Sequence, residues 1–401
     1  MKKQKINLIM IALSALIIFL LFSAWIVSLT GIVWLSLVRD FLVFIIILFA
    51  IFNLKKVKVE NKWPLIITII FISWALSSAI WRQSDFSQWL RGLRYLVIPI
   101  LLFLTLSILN IEQNKKIFLT KTIIFSGLII VIIGVAETLG IKIPFTTALS
   151  GMGVLDSLHY VGSTHLVRIQ SILSGPNALG LYSLALLTII LGFWTNSAGK
   201  YLLILPFLFL LIFSFSRSAW IGSAVALFFY VALNSKVILS KPIFWIAVTA
   251  LIFLGVFTAH VQSSLVSQLI THNDSSAIRK TQYIRVWEER DKIGLLGRGV
   301  GAAGPSSQNR LDNGKNYWTE NIYLDIFEQL GLVGLILYLL ILFLILKNAW
   351  SHRFERIGQA ALLFTIGFSV AGLFIDNYTG QIGIYLFWII NGLSSRKEMN
   401  V

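Results

Sequence analysis

Apolar runs of about the length that spans a bilayer succeed one another along the chain, parted by short polar breaks. The first, from Leu8 to Leu29, carries no charge and no period-two alternation of apolar and polar positions. Within lipid only helices and closed barrels satisfy their own backbone, and barrel strands alternate, so the pattern predicts helices. Spans are expected over about 7–29, 34–54, 63–80, 92–110, 117–139, 177–195, 201–215, 218–234, 242–259, 321–346, 357–375 and 379–393, with 201–234 readable also as one broken helix.

An even count of spans sorts the lysines. With the N-terminus inside, the inner connections hold Lys2, Lys3 and Lys5, then Lys55, Lys56, Lys58 and Lys62, then Lys115, Lys116 and Lys121. Later inner connections hold Lys200, Lys236, Lys241, Lys347, Arg353, Arg356, Arg396 and Lys397. Positive charge belongs on the inner side, and one span more or fewer would put half of these clusters on the wrong face. The chain therefore reads as an all-α polytopic membrane protein of about 12 transmembrane helices, set in the lipids of a bacterial cytoplasmic membrane with both ends cytoplasmic. Residues 1–401 form a single membrane domain, with a large outer loop at 260–320 and a second at 140–176. The first run is too long for the core of a cleaved signal peptide and is read as a retained signal anchor.

Composition agrees: 57% of residues are apolar and 12% charged, about half the charge of an ordinary soluble domain. A net charge of +16 could suggest nucleic acid, but its division between two membrane faces argues against that partner. The absence of cysteine removes thiol catalysis, disulfides and thiolate metal sites. His159, His165 and His272 lack metal-ligand spacing, and neither a metal nor a cofactor is expected.

Lysine dominates inside and arginine outside, where Arg39, Arg82, Arg91, Arg94, Arg168, Arg217, Arg279, Arg285, Arg290, Arg298 and Arg310 outnumber Lys142, Lys280, Lys292 and Lys315. A topology signal needs only charge, whereas the planar guanidinium fork holds phosphate or carboxylate bidentately. The outer face is thus expected to receive an anion, the plainer alternative being arginines that snorkel to lipid headgroups.

Within that set, Arg217 stands in Phe213-Ser214-Phe215-Ser216-Arg217-Ser218-Ala219-Trp220, between two membrane-embedded stretches. A charge at that depth is expensive, and the adjacent serines can satisfy a broken backbone. Arg168 precedes Gly175-Pro176-Asn177, the start of a helix whose N-terminus attracts anions. Arg91 and Arg94 are one turn apart and can face the same side. Glu320, at the boundary between the large loop and an apolar helix, can accept a proton from a hydroxyl or merely complement the helix dipole. In the large loop, Ile278, Ile284 and Trp287 among Arg279, Lys280, Arg285 and Arg290 predict a helix lying on the membrane surface. The run Gly294, Gly297, Gly299, Gly301, Gly304 reads as a flexible turn rather than a dinucleotide loop, since no strand precedes it. Glu137, Asp376 and Asn377 read as helix-end polar groups.

These residues resemble the O-antigen ligase and O-antigen polymerase (Wzy-type) superfamily of bacterial membrane glycosyltransferases. The resemblance is carried by Ser214-Phe215-Ser216-Arg217 with Gly222, by Arg285-Val286-Trp287 leading to Gly297-Arg298-Gly299-Val300-Gly301, and by Glu320-Asn321-Ile322-Tyr323-Leu324 with Gly331 and Gly334. Arg168 with Gly175-Pro176-Asn177 is a looser fourth element. The resemblance implies a GT-C-like membrane enzyme that moves a glycan from an undecaprenyl-pyrophosphate carrier to a hydroxyl of a glycan or glycolipid acceptor at the outer membrane face, alongside other polysaccharide assembly proteins. Catalysis would be metal-independent and inverting. Arg217 and Arg168 would bind the pyrophosphate with Arg91 or Arg94 assisting, Glu320 would act as base, and Asn321, Tyr323 and Arg285 would support them. Ligases typically carry histidine where this chain has Glu320, which favours polymerase over ligase. The competing class is a lipid-linked oligosaccharide flippase or other transporter, which would more often show paired repeats and charges in broken midplane helices.

Overall fold

The computed structural model describes residues 2–52, 62–109, 111–141, 159–160, 167–193, 198–238, 273–307, 318–376 and 381–396. Helices dominate them: α1 (Lys2–Thr30), α2 (Ser36–Ile51), α3 (Trp63–Ser77), α4 (Phe86–Ile108), α5 (Gln113–Thr138), α6 (Pro176–Phe193), α7 (Ala198–Phe213) and α8 (Arg217–Ile238). After these come α9 (Asn273–Glu288), the short α10 (Arg290–Ile293), α11 (Ile322–Ser351), α12 (Arg356–Ala371) and α13 (Gln381–Ser394). A two-residue antiparallel ladder pairs β1 (His159–Tyr160) with β2 (Val167–Arg168).

Five helical stretches, Leu8–Val27, Phe86–Ile108, Gln113–Thr138, Pro176–Phe193 and Ile322–Ser351, are long and apolar enough to cross a membrane. Trp63–Ser77, Leu202–Phe213, Arg356–Ala371 and Ile382–Ser394 are apolar but shorter. The predicted span 242–259 lies outside the described residues. Where one broken helix or two were expected over 201–234, α7 and α8 meet at a corner, Ser214 to Ser216. The outer shell of the bundle carries exposed Phe41, Phe44, Phe125, Ile132, Leu202, Phe228 and Phe343. A rim this apolar suits lipid rather than water.

The axis of the bundle is α6, buried along nearly its whole length and packed against α7, α8 and α12. Around it α4 packs on α13, α3 on α11, and α1 on α2 and α5. Pro176 opens α6, where its missing N–H costs no hydrogen bond. Asn321 caps α11 by accepting from the N–H groups of Tyr323 (2.9 Å) and Leu324 (3.1 Å).

The glycine run departs from the flexible turn expected of it. Residues from Arg298 to Gly304 are buried, and they lie against a break in α11 at Gly331 (φ +66°). A break inside a bundle frees carbonyls that need donors. The run supplies them: Arg298 donates to the Glu328 carbonyl and Gly299 to that of Gln329, both at 2.8 Å. Leu332 in turn donates to Gly294 at 3.1 Å. On its other side the run is tied to the α3–α4 connection, with Val300 N–H on Ser78 Oγ (3.1 Å), Ser84 Oγ on the Val300 carbonyl (3.0 Å) and Gln83 N–H on the Arg298 carbonyl (2.8 Å). A Cβ at Gly331 would stand 2.5 Å from the Gly297 nitrogen, so only glycine fits both the turn and the contact. Glycine here gives backbone access rather than mobility.

Candidate functional site

The α7–α8 corner is assembled by its serines. Ser214 Oγ donates to the Leu211 carbonyl (2.7 Å) and accepts from Ser216 N–H (3.3 Å), while Ser216 Oγ and Ser218 Oγ lie 3.2 Å apart. Phe215 between them has φ +49°, a conformation rare outside glycine. These bonds replace those lost where the helix stops, and they deliver Arg217 at the first position of α8. On the facing side Gly180 of α6 lets the corner approach, since a Cβ there would meet Ser216 Cβ at 2.6 Å.

Arg168 is stitched to that corner. Its Nε donates to the Ser214 carbonyl (3.2 Å), its Nη2 to Asn177 Oδ1 at the start of α6 (3.1 Å), and the next residue, Ile169, donates its N–H to the Phe213 carbonyl (3.1 Å). Two stretches about fifty residues apart in sequence thus present their arginines together.

A further wall comes from α9 and the start of α11. Arg279 sets both Nε and Nη2 against one carboxylate oxygen of Glu320. The helix bearing it is fixed at the same end: Gln282 Oε1 accepts from Glu320 N–H (3.2 Å), and the Tyr283 hydroxyl donates to the Leu373 carbonyl (3.0 Å). Burial, and after it the charge of Arg217, pushes the Arg168 pKa below its ordinary value, with Arg279 adding to the fall and Glu320 opposing it. Arginine stays protonated through such a shift. Arg217 in turn feels Arg279 and Glu320. Arg168, Arg217, Arg279 and Glu320 are therefore within electrostatic reach of one another, with Arg279 in direct contact with the carboxylate. Guanidiniums gathered in this way can hold a multiply charged anion and stabilise charge growing on it.

Other residues singled out from sequence stand elsewhere. Arg94 pairs with Asp40, which also accepts from buried Arg39 (2.9 Å), and Arg91 is exposed on α4; neither is among the charges felt by Arg168 or Arg217. Arg285 pairs with Glu328 (2.9 Å) beside the Arg298–Glu289 ion pair, away from Glu320 on the other side of α9. Asn321 is the cap of α11, and the Tyr323 hydroxyl donates to the Ser369 carbonyl (2.8 Å). Asp376 accepts from the Trp318 indole (3.2 Å). Asn377, His165, His272 and Arg310 lie outside the described residues. Sequence reasoning placed Arg279 only in a basic surface helix; its partnership with Glu320 depends on which face of α9 meets α11. Among the described residues no group of three or more His, Cys, Asp or Glu is arranged to hold a metal ion.

Residues 201–339 match the O-antigen ligase family. The O-antigen ligase match spans α7 through the first half of α11, and so includes Arg217, Arg279, Arg285, Glu320, Asn321 and Tyr323. Arg168, Arg91 and Arg94 fall outside it. The superfamily resemblance read from the sequence stands on this segment. The matched segment agrees with a multi-pass membrane protein and with a glycosyltransferase-like role in cell-surface polysaccharide assembly. No curated protein matches the chain.

Proposed function

We propose that this chain transfers a glycan from an undecaprenyl-pyrophosphate carrier to the hydroxyl of an acceptor sugar at the outer face of the bacterial cytoplasmic membrane, as a polymerase in preference to a ligase. The carrying observation is the Arg279–Glu320 pair with Arg168 and Arg217 within electrostatic reach of it. In this reading about 12 helices cross the membrane in a GT-C-like arrangement, both termini are cytoplasmic, and the loops at 140–176 and 260–320 face outward over the site.

The chemistry follows from the charges. The donor's diphosphate sits among the three guanidiniums, which neutralise it and favour negative charge on the departing oxygen, the task a metal ion performs elsewhere. An acceptor hydroxyl attacks the anomeric carbon from the face opposite the diphosphate, so configuration inverts. The new glycosidic bond takes the hydroxyl oxygen, the bond to the carrier breaks with its electron pair on the diphosphate, and the hydroxyl proton passes to Glu320. In the resting protein Arg279 occupies that carboxylate. Diphosphate competes for the same guanidinium, so donor binding frees the base before the acceptor is engaged.

The test is reconstitution in liposomes with the lipid-linked glycan that accumulates in a strain lacking the chain. The wild type forms new glycosidic bonds, and Arg217→Ala, still inserted, forms almost none. Undiminished polymer yield and length from Arg217→Ala would overturn the reading, and translocation without bond formation would favour a transporter.

A further inference from the structure

We propose that Glu137 is a positioning residue for Arg168, acting through the backbone and not through its charge. The inference rests on the donor-binding reading of Arg168 given above. Glu137 lies in the last turn of α5 and is 3% exposed. A carboxyl group buried at the end of an apolar helix is costly and calls for a purpose. Its Oε2 accepts from the N–H of Gln170 (3.0 Å) and of Ser171 (2.8 Å), two and three residues after Arg168.

The segment it grips is strained. Ser171 has φ +53°, and with Phe215 it makes up the non-glycine residues of positive φ among those described. One follows Arg168 closely and the other precedes Arg217, so among the described residues this backbone strain falls in the two stretches that aim the arginines. Held conformations of this kind persist only when their surroundings over-determine them. Ser171 is further tied by its hydroxyl to the Ile130 carbonyl (2.9 Å), and Ile169 by its N–H to Phe213. Glu137 supplies the remaining anchor on the α5 side. It is not among the charges that act on Arg168, which are those of Arg217, Glu320 and Arg279. What matters is therefore an acceptor at that point in space, and glutamine carries one.

The experiment measures initial rates against donor concentration for the full chain in liposomes, using the lipid-linked glycan from a strain lacking the chain. Glu137→Ala is expected to lower kcat/KM by about 10- to 100-fold, the scale of a misplaced binding group. Glu137→Gln should stay within about 3-fold of wild type, because its amide oxygen can accept the same two bonds. Glu137→Asp keeps the charge but withdraws the acceptor by one methylene, and should lose about as much as the alanine variant; it takes that variant's place if Glu137→Ala does not insert. Combined with Arg168→Ala, the Glu137 change should add less than about 2-fold, since it has no arginine left to aim. A glutamine variant as weak as the aspartate one, or losses that multiply in the double variant, would overturn the proposal while leaving the function intact. Full activity in Arg168→Ala would overturn both.

Discussion

Two arginine and carboxylate clusters stand at opposite sides of α9, and their charge balance separates them. In the first, Arg279 pairs with Glu320, whose side chain is 34% exposed, and Arg168 and Arg217 lie within electrostatic reach. In the second, Arg285 and Arg298 meet Glu289 and Glu328, and Glu328 is fully buried. The second is neutral by count and locks α9 and the glycine run to the broken α11. The first sets three guanidiniums near the Glu320 carboxylate and retains access to solvent. Ions paired one for one in a protein interior have no reason to bind anything further, whereas guanidiniums gathered at a solvent-accessible edge can attract an anion. Residue type is the same in both places; stoichiometry and exposure set the role.

The two clusters differ most at Glu328. Glu328→Ala strands Arg285 and Arg298 without their shared carboxylate, and is expected to cost about 3–5 kcal/mol of stability, read as a lowered thermal unfolding temperature in detergent. Arg217→Ala should lower that temperature less than Glu328→Ala does while lowering turnover about 100- to 1,000-fold, the usual toll of losing a group that stabilises developing charge. The reverse outcome, a stable Glu328 variant and an unfolded Arg217 variant, would exchange the two roles. Arg279→Ala removes one ligand and frees Glu320 together; inorganic pyrophosphate, as a competitor of the donor, should inhibit this variant about 10-fold less strongly than wild type. The smallest effect belongs to Arg91→Ala, expected within about 2-fold of wild-type rate, since Arg91 is exposed on α4 and outside both clusters. A loss there comparable to that of Arg279→Ala would extend the donor site to α4.

Much of the first cluster was legible in the chain because desolvation leaves a mark in composition. An arginine among serines between two apolar runs, and a carboxylate at the mouth of another, stand out against surroundings that exclude charge. The choice between Arg279 and Arg285 was not legible. Both belong to one basic amphipathic segment, and six helical residues turn a side chain by roughly 240°. One faces Glu320 and the other Glu328 only because of how α9 lies on α11. Arg94 shows the same limit: its spacing to Arg91 is sound helix geometry, yet Asp40 from α2 claims it. Glycines mislead for a related reason, since a loop and a tightly packed backbone both call for the residue that lacks Cβ.

Lipid allows so few backbone solutions that hydropathy alone dictates helices; the cost of burying charge marks Arg217, a helix start marks Arg168, and a loop–helix boundary marks Glu320. Those are properties of each residue with its solvent, and the sequence carries them directly. Which cations share a carboxylate, and which carboxylate is matched and which outnumbered, depends on contacts between stretches tens of residues apart: Ile169 on Phe213, Arg279 on Glu320, the glycine run on Gly331. Electrostatic interaction falls with distance through space and not along the chain, so only the packed helices could decide it.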